Sequence, residues 1–137
     1  MDIRYPAILK PEKTGYFVQF VDFDETSTKG KTLDEALLNA AEMLTLTLNA
    51  RMEENQPIPE PSVGVRRARL IAPHAKTQAA LLVRRARGDI TLTELARILE
   101  SSWAAVQRLE DPHHFSTLKQ LERAASALGK RLVLVFE

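Results

Sequence analysis

The sequence predicts an α+β chain: a small ββ(β)αβ sheet domain, then an all-α domain containing a helix-turn-helix and closing on an apolar strand. Three observations carry this. Near the N-terminus two β-like runs, IRYPAILK and GYFVQFVDF, flank Pro11-Glu12-Lys13-Thr14-Gly15, whose Pro and Gly supply turn chemistry. Between Ala75 and Gly129, helically periodic segments with start and stop residues succeed one another. The change of style falls at Pro73, so the domains are read as 1–73 and 74–137. A chain of 137 residues, 45% hydrophobic and 27% charged, is not disordered throughout and suffices for one ordinary domain or two very small ones.

The elements follow in order. The two N-terminal runs form a β-hairpin. After the polar stretch Asp24 to Gly30, Thr32 and Glu35 make a capping box. Leu33, Leu37, Ala40, Leu44, Leu48 and Met52 then recur every three or four residues, so one helix face packs on the hairpin until Pro57. VGVRRARLI reads as a strand with Val63, Val65 and Leu70 in the sheet, making the preceding QPIPEPS a crossover loop. Ala75 to Arg87 is a helix with Ala79, Leu82, Val83 and Ala86 on one face, ended by Gly88. Thr91 to Glu94 is a second capping box, opening a helix through Leu99; Ser102 caps a helix from Trp103 to Glu110, before Pro112. Ser116 caps a fourth, through Leu118, Leu121, Ala125 and Leu128 to Gly129. In the closing KRLVLVFE, an apolar strand without a polar face needs a partner along its edge. A symmetric copy is the simplest one, so Leu132, Val133, Leu134, Val135 and Phe136 are expected to dimerise the chain, with a dimer of dimers also open.

No apolar run approaches membrane-spanning length and the N-terminus lacks a signal-peptide core, so a soluble cytoplasmic protein with no membrane contact is expected. The absence of cysteine excludes disulfides, Cys-based zinc sites and thiol catalysis. His74 and the His113-His114 pair make no spaced metal set, and Ser62, Ser101, Ser102 and Ser126 lack a nucleophile-elbow context. No catalytic residue, metal or cofactor is therefore assigned. Charge is uneven: residues 1–62 hold six Lys/Arg against eleven Asp/Glu, a net of −5, and residues 63–137 hold thirteen against seven, a net of +6. This suggests a basic protein partner for the first half and nucleic acid for the second.

TLTELARILESSWAAVQRLE is the most informative segment. Ala96 is small enough for two helices to approach closely, while Leu95 and Leu99 answer Val106 and Leu109 across the gap. Ser102, Trp103, Ala104, Gln107 and Arg108 remain at the exposed start of the second helix, where Gln and Arg can hydrogen-bond base edges and apolar groups can touch a thymine methyl. Leu95-Ala96, Val106, Leu109-Glu110 and LERAASALGKRL resemble the helix-turn-helix domain of phage-repressor-type regulators over about residues 76–130. The resemblance implies base reading by Trp103, Ala104 and Arg108, with Gln107 beside them, and phosphate contacts by Thr91, Leu92 and Thr93. Glu100 stands where that family usually has a turn glycine, and Trp103 where Gln or Arg is common. The Trp103 indole either faces DNA or packs against Phe115 or a neighbouring helix. One or two of Arg66, Arg67, Arg69, Arg84, Arg85 and Arg87 are expected to add phosphate contacts.

Tyr5-Pro6-Ala7, Gly15-Tyr16 with Val18 and Phe20, Thr32 to Glu35 with Ala36 and Asn39-Ala40, and Ile58-Pro59 with Pro61-Ser62 occur in one order. In this, residues 3–62 resemble the HicB-type antitoxin domain. The resemblance implies a partial ribonuclease-H-like fold that neutralises a small basic ribonuclease toxin of the HicA type, with a C-terminal helix-turn-helix repressing the operon. Val21-Asp22-Phe23-Asp24-Glu25 replaces the family's Pro-Asp-aliphatic-Pro-Gly stretch, and only Asp22 is kept. Asp22, Asp24 and Glu25 are expected to dock the toxin; a metal-nuclease site built from them with Glu35 or Glu42 is the weaker reading. The function expected is that of an antitoxin and autorepressor, not an enzyme, with a HicA-like toxin and operator double-stranded DNA as partners. The alternative is a transcription regulator whose N-terminal domain senses a ligand or another protein.

Overall fold

In the computed structural model, which describes residues 1–137, the N-terminal runs pair as strands β1 (Tyr5–Glu12) and β2 (Gly15–Phe20). The turn is tighter than expected: Glu12 pairs with Gly15 and Pro11 with Tyr16, leaving only Lys13 and Thr14 in the bend. The polar residues Ser27–Gly30 form β3 against β2, and Ala68–Ile71 form β4 against β1. All pairings are antiparallel, in the order β3-β2-β1-β4. Helix α1 (Leu33–Glu53) starts at Thr32, whose Oγ1 accepts from the Glu35 amide at 3.1 Å.

Ala36, Ala40, Leu44, Leu48 and Met52 of α1 are buried in one core with Tyr5, Ala7, Val18, Phe20, Phe23 and Ile71. Leu33 and Leu37 are only partly buried. Gly30 lies close against the backbone of Glu35 and Ala36 in the first turn of α1, and Ala36 is the buried residue of that turn. The strand expected from Val63 begins later. Gly64 and Arg67 have φ of 68° and 59°, which breaks the extended run, so Val63 is 91% exposed and Val65 lies outside β4. Within β4 the inward residue is Ile71, while Leu70 is half exposed.

The chain divides into two compact units, Met1–His74 and Ala75–Glu137. The second holds α2 (Ala75–Arg87), α3 (Leu92–Ile98), α4 (Trp103–Leu109) and α5 (Leu118–Ala127). Thr91 and Ser102 cap α3 and α4 by accepting from the amides of Glu94 and Ala105. Helix α5 is capped by Thr117 rather than Ser116. From Thr117 the third helical residue is Gln120, whose side chain reaches back to complete the box; from Ser116 it would be Lys119, which offers no acceptor. Thr77, Ala80, Leu81 and Val83 are the buried residues of α2, whereas Ala79, Leu82 and Ala86 are only partly buried. Val83, Leu95, Ala96, Val106, Leu109 and Ala124 form the core that holds α3 and α4, with Leu92, Leu99, Leu121 and Leu128 packed on it. No helix is long and apolar enough to cross a membrane.

The turn between α3 and α4 uses a non-glycine where glycine is favoured. Glu100 has φ 52°, letting the Ser101 amide donate to Ala96 O at 2.9 Å and the Glu100 amide donate to Arg97 O at 3.1 Å. The left-handed conformation is strained for Glu and not for Gly, partly offset by glycine's freer unfolded chain. Glu100→Gly should therefore raise stability by about 0.5–1 kcal/mol. An unchanged urea midpoint would show that the turn is unstrained.

Residues 131–137 form no strand in the single chain. Leu132 is partly buried, while Val133, Leu134, Val135 and Phe136 are 65%, 66%, 77% and 103% exposed.

Candidate partner-binding surfaces

Helix α4 separates its two faces cleanly. Val106 and Leu109 point into the core, and Trp103, Ala104, Gln107 and Arg108 span an arc of about 140° on the exposed side. Ser102, the cap, stands at its start. Trp103 is half exposed and lies outside the buried core of the unit; Phe115 is itself exposed, with the Lys76 ammonium 4.5 Å over its ring. Thr91 and Thr93 are exposed at the start of α3, whereas Leu92 is partly buried and packs on the core.

Arg87 holds α4 in place. Its guanidinium donates to both Glu110 oxygens, at 2.5 and 3.0 Å, and to Ile90 O at 2.6 Å, and the Glu110 carboxylate raises its pKa above the ordinary value. Both side chains are largely buried. This takes Arg87 out of the expected phosphate-contact cluster. Arg66, Arg67 and Arg69 belong to the sheet unit, which softens the charge division: Met1–His74 holds nine Lys/Arg against eleven Asp/Glu, a net of −2, and Ala75–Glu137 holds ten against seven, a net of +3.

The loop after β2 is built from inside. Gln19 Nε2 lies 3.1–3.3 Å from the carbonyl oxygens of Phe20, Phe23, Asp24 and Thr26, and Thr26 Oγ1 meets Thr47 Oγ1 of α1 at 2.7 Å. Phe23 is fully buried, 5.0 Å from the Tyr5 ring, with Arg51 4.9 Å above it. Arg51 also pairs with Glu25 at 2.6 Å and donates to Pro57 O at 3.1 Å. Its hydrogen bond lowers the Glu25 pKa below the usual carboxylate range. Asp22 accepts from the Ser62 amide at 3.0 Å and from the Ser62 hydroxyl, while Tyr5 Oη donates to Pro59 O at 2.6 Å. These ties clamp the Pro-rich crossover onto the sheet unit.

The expected docking trio is thereby divided: Asp22 and Glu25 are engaged within the unit, whereas Asp24 is exposed. No three His, Asp or Glu side chains gather into a metal-sized cluster. Sequence reading missed Gln19, Arg51 and Tyr5 as the residues shaping this loop, since their partners lie in other elements and leave no local pattern.

The sheet unit thus offers a clamped loop and the helical unit an exposed helix face, surfaces of the kind that dock a partner. Residues 4–73 match the family model described as HicB_like antitoxin of bacterial toxin-antitoxin system. Antitoxin HicB of Escherichia coli (strain K12) is 35% identical over 136 residues, covering 97% of this chain and 99% of its own. Antitoxin HicB 2 of Photorhabdus laumondii subsp. laumondii is 30% identical, covering 98% and 96%. Antitoxin HicB of Pseudomonas fluorescens is 26% identical, covering 98% and 94%. The chain belongs to the HicB-like antitoxins of bacterial toxin–antitoxin systems. Its partner is accordingly a toxin, and its place is among antitoxins rather than enzymes.

Proposed function

We propose that the sheet unit neutralises a HicA-like ribonuclease toxin by covering its RNA-binding or catalytic surface, while the helical unit represses the chain's own operon. The protein acts in the cytoplasm as a dimer or dimer of dimers, without a cofactor. Similarity to antitoxins over nearly the whole chain supports the first part. The observation carrying the second is the exposed face of α4, where Gln107 and Arg108 offer donors for base edges and Trp103 and Ala104 offer apolar contacts to thymine methyls. Thr91, Thr93, Ser102 and the Leu92 amide meet the phosphates. Leu132 to Phe136 pair across a two-fold axis, which supplies the strand partner they lack in the single chain.

Arg108→Ala should weaken binding to the operator by about 1–3 kcal/mol and leave random DNA less affected, because a lost base contact relaxes preference at one position. Anisotropy on operator and scrambled duplexes at several salt concentrations reads this out. Equal affinity of variant and parent on both duplexes would remove α4 as the reading helix. Truncation before Leu132 should convert dimers to monomers in sedimentation and weaken operator binding, since one half-site then binds alone. A dimer that survives truncation places the interface elsewhere.

A further inference from the structure

Helix α1 has a second face that the sheet leaves uncovered. Opposite its buried stripe, Glu35, Leu38, Glu42 and Leu46 fall within a strip about 80° wide. Leu38 and Leu46 are 69% and 53% exposed and stand about 12 Å apart along the axis, with Glu42 midway. A helix face that meets only water ordinarily intersperses Lys with Glu at this spacing. Here the one basic residue of α1, Arg51, is turned to Glu25 and the Pro57 carbonyl. Glu42 meets His74 Nε2 at 3.5 Å, but both side chains are more than half exposed and such a pair contributes little.

We infer that this strip docks a basic surface of the toxin, with Leu38 and Leu46 as apolar anchors and the carboxylates meeting Lys or Arg around them. Anchors ringed by complementary charge are the arrangement in which a few residues carry most of the binding energy. Charge selects the occupant. A second copy laid parallel would set each carboxylate against itself, and one laid antiparallel with Leu38 on Leu46 would set Glu42 against its own copy, so either pairing is repulsive. Nucleic acid is repelled by the same charges. The inference rests on the proposed neutralisation of a HicA-like toxin, which the family resemblance implies is basic. It moves the main contact from the loop after β2, where Asp22 and Glu25 are engaged within the unit, to the helix.

The test uses the full-length chain and the purified toxin encoded beside it, with calorimetry at two salt concentrations. The double variant Leu38→Ser/Leu46→Ser should bind about thirty-fold more weakly and Glu42→Lys about tenfold, whereas Asp24→Asn should change little. These exposed substitutions should leave the melting curve in place, and Glu42→Lys, a single surface change, keeps the test valid should the double variant misfold. If the α1 variants bind as the parent does while Asp24→Asn loses affinity, docking lies on the loop and the inference falls, with the antitoxin proposal intact. If the parent itself does not bind the toxin, both fall. If the α1 variants alter the oligomeric state and not toxin affinity, the face belongs to a second copy and the inference is overturned.

Discussion

Replacing Arg87 with alanine is expected to destabilise the helical unit by about 3 kcal/mol, because it leaves the largely buried Glu110 carboxylate without its two-pronged partner. For a unit of this size that corresponds to a fall in melting temperature of roughly 12 °C or more. The interaction spans α2 and the C-terminal cap of α4, so it also sets where the exposed face of α4 points. Operator binding should suffer in Arg87→Ala even though the arginine faces inward. The double variant Arg87→Met/Glu110→Leu separates pairing from packing. With neither charge left to desolvate, it should recover most of the lost stability, as buried ion pairs commonly tolerate apolar replacement. A double variant no better than Arg87→Ala would show that the geometry of the hydrogen bonds, and not the stranded charge, holds the unit together.

Gly30→Ala should destabilise the sheet unit by a similar amount, about 3 kcal/mol. A Cβ there would lie 2.4 Å from the Ala36 amide nitrogen, 2.7 Å from its Cα and 2.8 Å from the Glu35 carbonyl carbon. These are backbone atoms in the first turn of α1, with no flexible side chain to yield. Either β3 or the helix start must move, and Ala36 is buried against the sheet. Gly64→Ala is the matched control. Gly64 has φ +68° but nothing within 4 Å of an added Cβ, so it should cost only the conformational strain, about 1 kcal/mol. Equal losses in the two variants, measured by urea unfolding, would show that the close approach at Gly30 is soft.

Much of the helical unit was legible in advance. The bounds of α2 from Ala75 to Arg87 and the caps Thr91 and Ser102 follow from interactions reaching no more than four residues along the chain, which sequence displays directly. The core residues Leu95, Ala96, Val106 and Leu109 were legible for the same reason, since helical periodicity sorts buried from exposed positions. The hairpin was equally plain, down to its two runs, though not to its register. The third strand is faint in the sequence because Ser27–Gly30 has no apolar alternation and is extended by its pairing with β2. The fourth strand begins later than its sequence suggests, because Val63 and Val65 look like strand residues while the left-handed residues Gly64 and Arg67 delay pairing to Ala68.

Of the candidate surfaces, the sequence by itself determined the face of α4, because a seven-residue helix with two core positions leaves few others to present. It also determined the family, through short motifs kept in one order along residues 3–62. Only the tertiary structure decided which charges remain available. Asp22 is engaged by Ser62 forty residues away, Glu25 by Arg51 twenty-six residues away, and Arg87 by Glu110 twenty-three residues away. A carboxylate or guanidinium looks the same in sequence whether solvated or paired. The difference is made when the chain closes loops of that length and brings the partner within hydrogen-bond reach, and that closure depends on the packing of whole elements rather than on neighbouring residues.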